Sequence, residues 1–209
     1  MENITWAEVN TRAFHNQDPS TIKIAMKYWK EGNIEGIICM MSNGQTMGFV
    51  ADNWYLLKKT GNYEKALLDS HVLIRTNYSN WSLNVLNFLF MQADIEILRK
   101  TGDPIPDQET FTLYRGVSGV GRKRRVSGIS WTDSPNTAAW FANRFSGLNL
   151  KDPAVFKVTV PNESIMACCF DRQEREYLVR MPLPVKPKRL KIMPEAFLPR
   201  DKDISSFAA

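Results

Sequence analysis

Two kinds of hydrophobic spacing divide the chain. Up to about Lys100 the apolar residues recur at helical intervals. Asp18 followed by Pro19 predicts an N-cap and first-turn proline, with Ile22, Ala25, Met26 and Trp29 on one face and Gly32 as the stop. Asp52 to Lys59 predicts a second helix ended by Gly61, and Tyr63 to Arg75 a third. The longest is expected to begin at Ser79, to carry Leu86, Leu89, Phe90, Ala93 and Ile97 as a broad stripe, and to close at Lys100, Gly102 and Pro104. From Phe111 onward, short β-favouring runs replace this pattern: Thr112 to Gly116, Val126 to Thr132, Ala154 to Val160, Ile165 to Phe170, Tyr177 to Met181 and Arg189 to Met193. A single helix interrupts them, capped by Asp133 or Ser134, with Pro135 in its first turn and Ala138, Trp140, Phe141, Ala142 and Phe145 along it. The expectation is an α+β protein, with a helical region over residues 1–108 and a strand-rich core over 109–209 packing as one unit. Asp103 to Asp107, with Pro104 and Pro106, is the natural junction.

One local echo occurs in the helical half. Gly32-Asn33-Ile34-Glu35 resembles Gly61-Asn62-Tyr63-Glu64, each after a lysine-bearing helix end. Turns of this kind occur in helical repeats of the tetratricopeptide sort, but two copies do not make an array, and shared helix-turn chemistry accounts for them.

Composition narrows the chemistry. The 209 residues are 44% hydrophobic and 23% charged, ordinary values for a globular chain with a buried core. The segment Met1 to Phe14 lacks the apolar run of a secretory signal, and no stretch has the length of a membrane-spanning helix, so a cytoplasmic or cell-delivered protein with no membrane partner is expected. Cys39, Cys168 and Cys169 cannot form a disulfide framework, and with only His15 and His71 besides them no metal site is expected. Carboxylates, hydroxyls and arginines are left to carry any reaction. A net charge of +5 favours anionic partners without choosing among them.

Three features stand out among those residues. Arg115 follows Leu113 and Tyr114 in an apolar strand just ahead of Gly116, Gly119 and Gly121. A guanidinium there needs an anion or carboxylate, either a ligand or an internal partner such as Glu174 or Glu176. Next, strand alternation puts Ser130 and Thr132 on one side and Ile129 and Trp131 on the other, so the two hydroxyls can brace a carboxylate or cap the following helix. Last, Glu174, Arg175 and Glu176 lead into Tyr177, Leu178 and Val179. If a strand begins there, the two glutamates share a face; otherwise Asp171 to Arg175 is a solvated turn. Arg122 to Arg125 adds a basic run that is either solvated or in contact with an anionic target.

In this order the three features resemble the arginine-specific mono-ADP-ribosyltransferases, a branch of bacterial toxins, phage enzymes and vertebrate ecto-enzymes with an Arg, Ser, Glu triad. Arg115 matches the arginine of the first core strand, Ser130-Trp131-Thr132 the Ser-Thr-Ser motif, and Glu174-Arg175-Glu176 the Glu-x-Glu motif. Phe141-Ala142-Asn143-Arg144 matches the Phe-Ala-x-Arg helix end between them. The likeness covers Phe111 to Met193; Trp131 departs from the small central residue of the serine motif.

That resemblance implies a β-sandwich catalytic core and NAD+ as substrate, with nicotinamide as the released product. It implies Glu176 as the carboxylate beside the ribose, oriented by Ser130 with Thr132, and Arg115 on the pyrophosphate. Tyr114, Gly116, Phe141 and Arg144 would line the dinucleotide, and Glu174 with Phe170 would meet the acceptor. A protein arginine is the implied acceptor and a nucleic acid the alternative, with an antitoxin or host target as a further partner. An NAD glycohydrolase and a catalytically inactive binding module compete with it.

Overall fold

A computed structural model describes residues 5–42, 44–73, 82–121, 124–144, 151–170 and 174–196. The chain divides into two compact units, Met1–Gly102 and Asp103–Ala209. The break falls where the proline-bearing junction begins, since the Asp103 amide already bonds the Cys168 carbonyl at 2.9 Å.

The first unit is helical: α1 Pro19–Glu31, α2 Ile34–Cys39, α3 Thr46–Lys59, α4 Tyr63–Leu73, α5 Leu83–Gln92 and α6 Ile95–Thr101. Asp18 starts α1 as expected, its carboxylate accepting from the Ser20 and Thr21 amides while Pro19 occupies the first turn. Of the face expected to be buried, Ala25 is fully covered, whereas Met26 remains 44% exposed. The helix expected from Asp52 begins earlier, at Thr46, because Met47, Phe49 and Val50 extend the buried face towards its start. The single long helix expected before Gly102 is two helices. Asp94 interrupts it, capping α6 by accepting from the Glu96 and Ile97 amides, and Ile97 ends up exposed instead of in the stripe. Arg75 and Ser79 lie outside the described residues.

The Gly-Asn echo marks one piece of geometry used twice. Gly32 and Gly61 have φ of 69° and 72°, left-handed values that favour glycine. Both end a helix with the same pair of bonds. Asn33 N–H donates to the Tyr28 carbonyl and Asn62 N–H to the Leu57 carbonyl, each at 2.9 Å, while each glycine N–H donates three residues back. Each turn then opens a second helix on a buried residue, Ile34 or Tyr63. Ala93-Asp94-Ile95-Glu96 stands at the equivalent place between α5 and α6. Adjacent turns also touch, through Lys65 with Glu35 at 3.5 Å and the Asp94 amide with the Glu64 carboxylate at 2.8 Å. In this unit α2 packs on α4, and α4 on α6.

Six antiparallel strands build the second unit: β1 Thr110–Val117, β2 Ser130–Thr132, β3 Ala154–Pro161, β4 Ile165–Cys169, β5 Glu176–Val179 and β6 Lys188–Arg189. Their order is β4-β5-β2-β1-β3-β6, one continuous sheet where a two-sheet sandwich was expected. The unit is α+β, its helix α7 (Pro135–Asn143) capped by Ser134, whose side chain accepts from the Thr137 amide. Phe145, expected along this helix, lies outside the described residues.

Two strands are much shorter than their β-favouring runs. Ahead of β2 the Gly128 amide turns back to the Val126 carbonyl, and β6 ends at Arg189, past which the Leu190 amide bonds the Val155 carbonyl at 2.9 Å. One sheet face buries Phe111, Leu113, Trp131, Val158, Val160, Tyr177 and Val179. On the other face Ala138, Ala139 and Ala142 of α7 pack with Val155, Tyr114 and Leu190. Gly116 is what lets α7 lie so close, since a Cβ there would sit 1.7 Å from the Ala138 carbonyl oxygen.

Candidate functional site

Alternation within β2 runs as the sequence requires. Trp131 is 2% exposed and its indole N–H donates to the Gly128 carbonyl at 2.7 Å, while Ser130 and Thr132 face the other way. Antiparallel register then sets what those hydroxyls meet. Thr132 is paired with Tyr114 of β1 on one side and with Glu176 of β5 on the other. Residues directly opposite share a face, and so Ser130, Thr132, Tyr114 and Glu176 all look to the α7 side of the sheet. Ser130 itself is paired with Leu178, which leaves Thr132 as the hydroxyl straight across from Glu176 and Ser130 on the diagonal.

The same row continues outward. Tyr114 is paired with Lys157, and Lys157 with Lys188; on the far side Glu176 is paired with Cys169. A single transverse line, Lys188, Lys157, Tyr114, Thr132, Glu176, Cys169, therefore crosses all six strands on one face. Nothing local in the sequence announces it, because six strands from separate parts of the chain each bring one residue to this row.

Glu174 does not share the strand alternation expected for it. The strand starts only at Glu176, and Arg175 has φ of 45°, a left-handed turn that breaks the period. The turn is fixed from both sides. Thr132 Oγ1 donates to the Glu174 carbonyl at 2.9 Å, and Arg175 Nε donates to Asp133 at 2.7 Å. The Arg175 guanidinium also lies over Phe170, 4.9 Å from the ring centroid. Tyr177 closes the cluster, its hydroxyl 3.0 Å from Asp133, and burial together with the Asp133 charge pushes its pKa up to about 12. Asp133, which the sequence offered only as a helix cap, is thus the residue that anchors the acidic turn beside β2.

Phe170, expected at the acceptor, stands 5.4 Å from Tyr177 in edge contact and packs against the sheet core. Arg115 alternates to the opposite face from Thr132, paired with Phe156. Its guanidinium turns onto backbone oxygens, Nη1 donating to the Ser130 carbonyl and Nε to the Arg125 carbonyl. Gly128 makes room for it, a Cβ there falling 2.4 Å from the guanidinium. Arg144 follows α7, stacked on Trp140 and Phe141 at 5.5 and 5.8 Å. Partial desolvation lowers its pKa, and the nearby Glu174 carboxylate acts in the opposite sense.

The geometry thus joins Ser130, Thr132, Glu176 and Tyr114 in one patch, ties Glu174 to it through Thr132, and links Arg144 to it electrostatically. Gly116 serves the packing of α7 within the same neighbourhood. Among the described residues no helix is long and apolar enough to cross a membrane. Comparison with protein-family models, curated proteins and solved structures finds no match to this chain.

Proposed function

We propose that the second unit is a mono-ADP-ribosyltransferase that cleaves NAD+ and passes ADP-ribose to a macromolecular acceptor. The observation that carries this reading is the pairing of Thr132 with Glu176, which sets the hydroxyl-bearing strand against the acidic one on a single sheet face.

The reaction suits such a patch. When the bond between ribose C1′ and the nicotinamide nitrogen breaks, its electron pair leaves with nicotinamide, which departs neutral and needs no general acid. The deficit stays on the ribose as an oxocarbenium-like cation. Glu176 would stabilise that charge, its carboxylate oriented by Ser130 on the diagonal, while Thr132 spends its one hydroxyl proton on the Glu174 carbonyl and so holds the acidic turn. An acceptor nucleophile then bonds to C1′ and gives up its proton, with Glu174 the nearby base. Arg144 supplies a guanidinium for the diphosphate, while Arg115, on the other face, braces the serine strand through the Ser130 carbonyl. Trp140 and Phe141 hold Arg144 by stacking, and Tyr114 and Gly116 set the strand on which the dinucleotide would rest.

Incubation with labelled NAD+ and a cell lysate tests the reading. Label should move into protein or nucleic acid with release of nicotinamide. Glu176→Gln should lower that transfer and any NAD+ hydrolysis by about a hundredfold to a thousandfold while the fold is kept. Full turnover by Glu176→Gln would remove the assignment.

A further inference from the structure

The distribution of charge goes further than the reaction. Acidic and basic residues balance up to Gly102, so the whole net charge of +5 belongs to the second unit. Within that unit the excess gathers at the β3–β6 side of the sheet. Lys151, Lys157, Lys186, Lys188 and Lys191 are all exposed there, and none has an ion-pair partner among the described residues. Two neighbouring arginines, Arg124 and Arg189, share the single carboxylate of Asp152 and so add a further net positive charge.

Lys157 and Lys188 are also cross-strand partners. Like charges placed directly opposite destabilise a sheet. A fold that keeps this pair gains from it when an anion lies across both. Position says which anion. The two lysines occupy the row that runs through Thr132 to Glu176, and strand spacing sets them roughly 14 and 19 Å from the Glu176 position. A bound diphosphate is shorter than that strip and would leave Lys186 and Lys191 beyond its reach. A polymer of phosphodiesters spans it. Next to the row on the same face, the exposed Thr112 and Thr159 hydroxyls meet at 3.1 Å, further donors for phosphate oxygens.

We propose that the β3–β6 strip binds the backbone of a single-stranded nucleic acid and leads it along the row to Glu176, so that the acceptor of the transferase proposed above is a nucleic-acid strand. The acceptor step rests on that transferase reading; the binding step does not.

Binding is measured first, without NAD+, by fluorescence anisotropy of a labelled single-stranded RNA of mixed sequence, with the DNA counterpart, anionic phospholipid vesicles and polyglutamate as comparisons. Wild-type protein should bind the strands, and log affinity should fall linearly with log salt. The double variant Lys157→Glu/Lys188→Glu should bind at least about tenfold more weakly at physiological salt, with a slope shallower by about 1.4 for two lost backbone contacts. Lys186→Glu/Lys191→Glu should act in the same direction, which guards against a fold defect in the first pair. Unchanged RNA affinity in both double variants, or equal binding of vesicles or polyglutamate, would overturn the strip as a nucleic-acid site.

Labelled NAD+ is then added to the RNA-bound protein. Label on RNA that is lost with Glu176→Gln supports the acceptor. Label only on protein arginine, with RNA still bound, overturns the acceptor class and leaves the transferase. Salt-dependent RNA binding with no NAD+ turnover at all removes the transferase and leaves the binding surface.

Discussion

The two units are organised by different ranges of interaction. In Met1–Gly102 the helix ends are set by positions close in sequence: a cap and the two amides that follow it, a glycine and the carbonyls one turn behind. In Asp103–Ala209 they are far apart, as where Thr132 meets Glu176 or Asp103 meets Cys168. The first unit is electrically balanced and the second carries all the excess charge. Local contacts build a scaffold, and distant pairings concentrate polar groups on one sheet face.

The strongest way to break this contrast is Gly116→Ala. The added methyl meets backbone and not a movable side chain, so the second unit should lose more than about 4 kcal/mol and fail to hold α7. Hydrogen exchange should show protection lost across β1, β3 and α7, with the loss stopping at Gly102. Next in size, Asp133→Ala removes the partner of both Arg175 and Tyr177 and frees the acidic turn. Transfer should fall about tenfold to a hundredfold through kcat while the melting temperature moves little, because misplacement of reacting groups is costly even when packing survives. An intact kcat would mean that Thr132 and the Phe170 ring hold the turn without Asp133.

A smaller effect sharpens the comparison from the helical side. The Tyr63 hydroxyl, buried, donates to the Leu89 carbonyl at 2.7 Å. Tyr63→Phe should lower stability by about 1 kcal/mol, read by chemical denaturation, and leave transfer unaffected. Smallest is an acid response. Hydrogen bonds from Ser20 and Thr21 hold the Asp18 carboxyl well below the usual carboxylate range. A depressed folded-state pKa contributes stability above the unfolded value of about 3.9, and that contribution fades as pH falls below it. Asp18→Asn keeps an acceptor at the cap but no titration. The acid-side loss of helix should become shallower in circular dichroism below about pH 4.

Legibility in the sequence follows the same division. Asp18, Pro19 and Gly32 delimit α1 because capping is written in adjacent residues. Asp94 hid in an apolar stripe, and the single long helix was the natural expectation until its carboxylate was found capping α6. In the sheet, alternation gave the faces of Ile129 to Thr132 correctly. It failed at Glu174, since a left-handed Arg175 has no signature of its own outside glycine, asparagine and aspartate. Register was out of reach altogether. Ser130 looked like the partner of Glu176, and the ladder gives that place to Thr132. Asp133 looked like a cap, yet its contacts run to Arg175 and Tyr177, more than a strand away.

The margins of the sheet carry one more consequence. An outer strand with unpaired amides and carbonyls recruits other chains. Here β6 has two residues and presents Lys188, and on the other margin the Asp103 backbone already occupies Cys168 of β4. The two residues of β6 are too few to template a long ladder, and Asp103 interrupts the outer side of β4. Charge of either sign serves that purpose on β6, so Lys188→Glu should leave the protein as resistant to fibril formation as before.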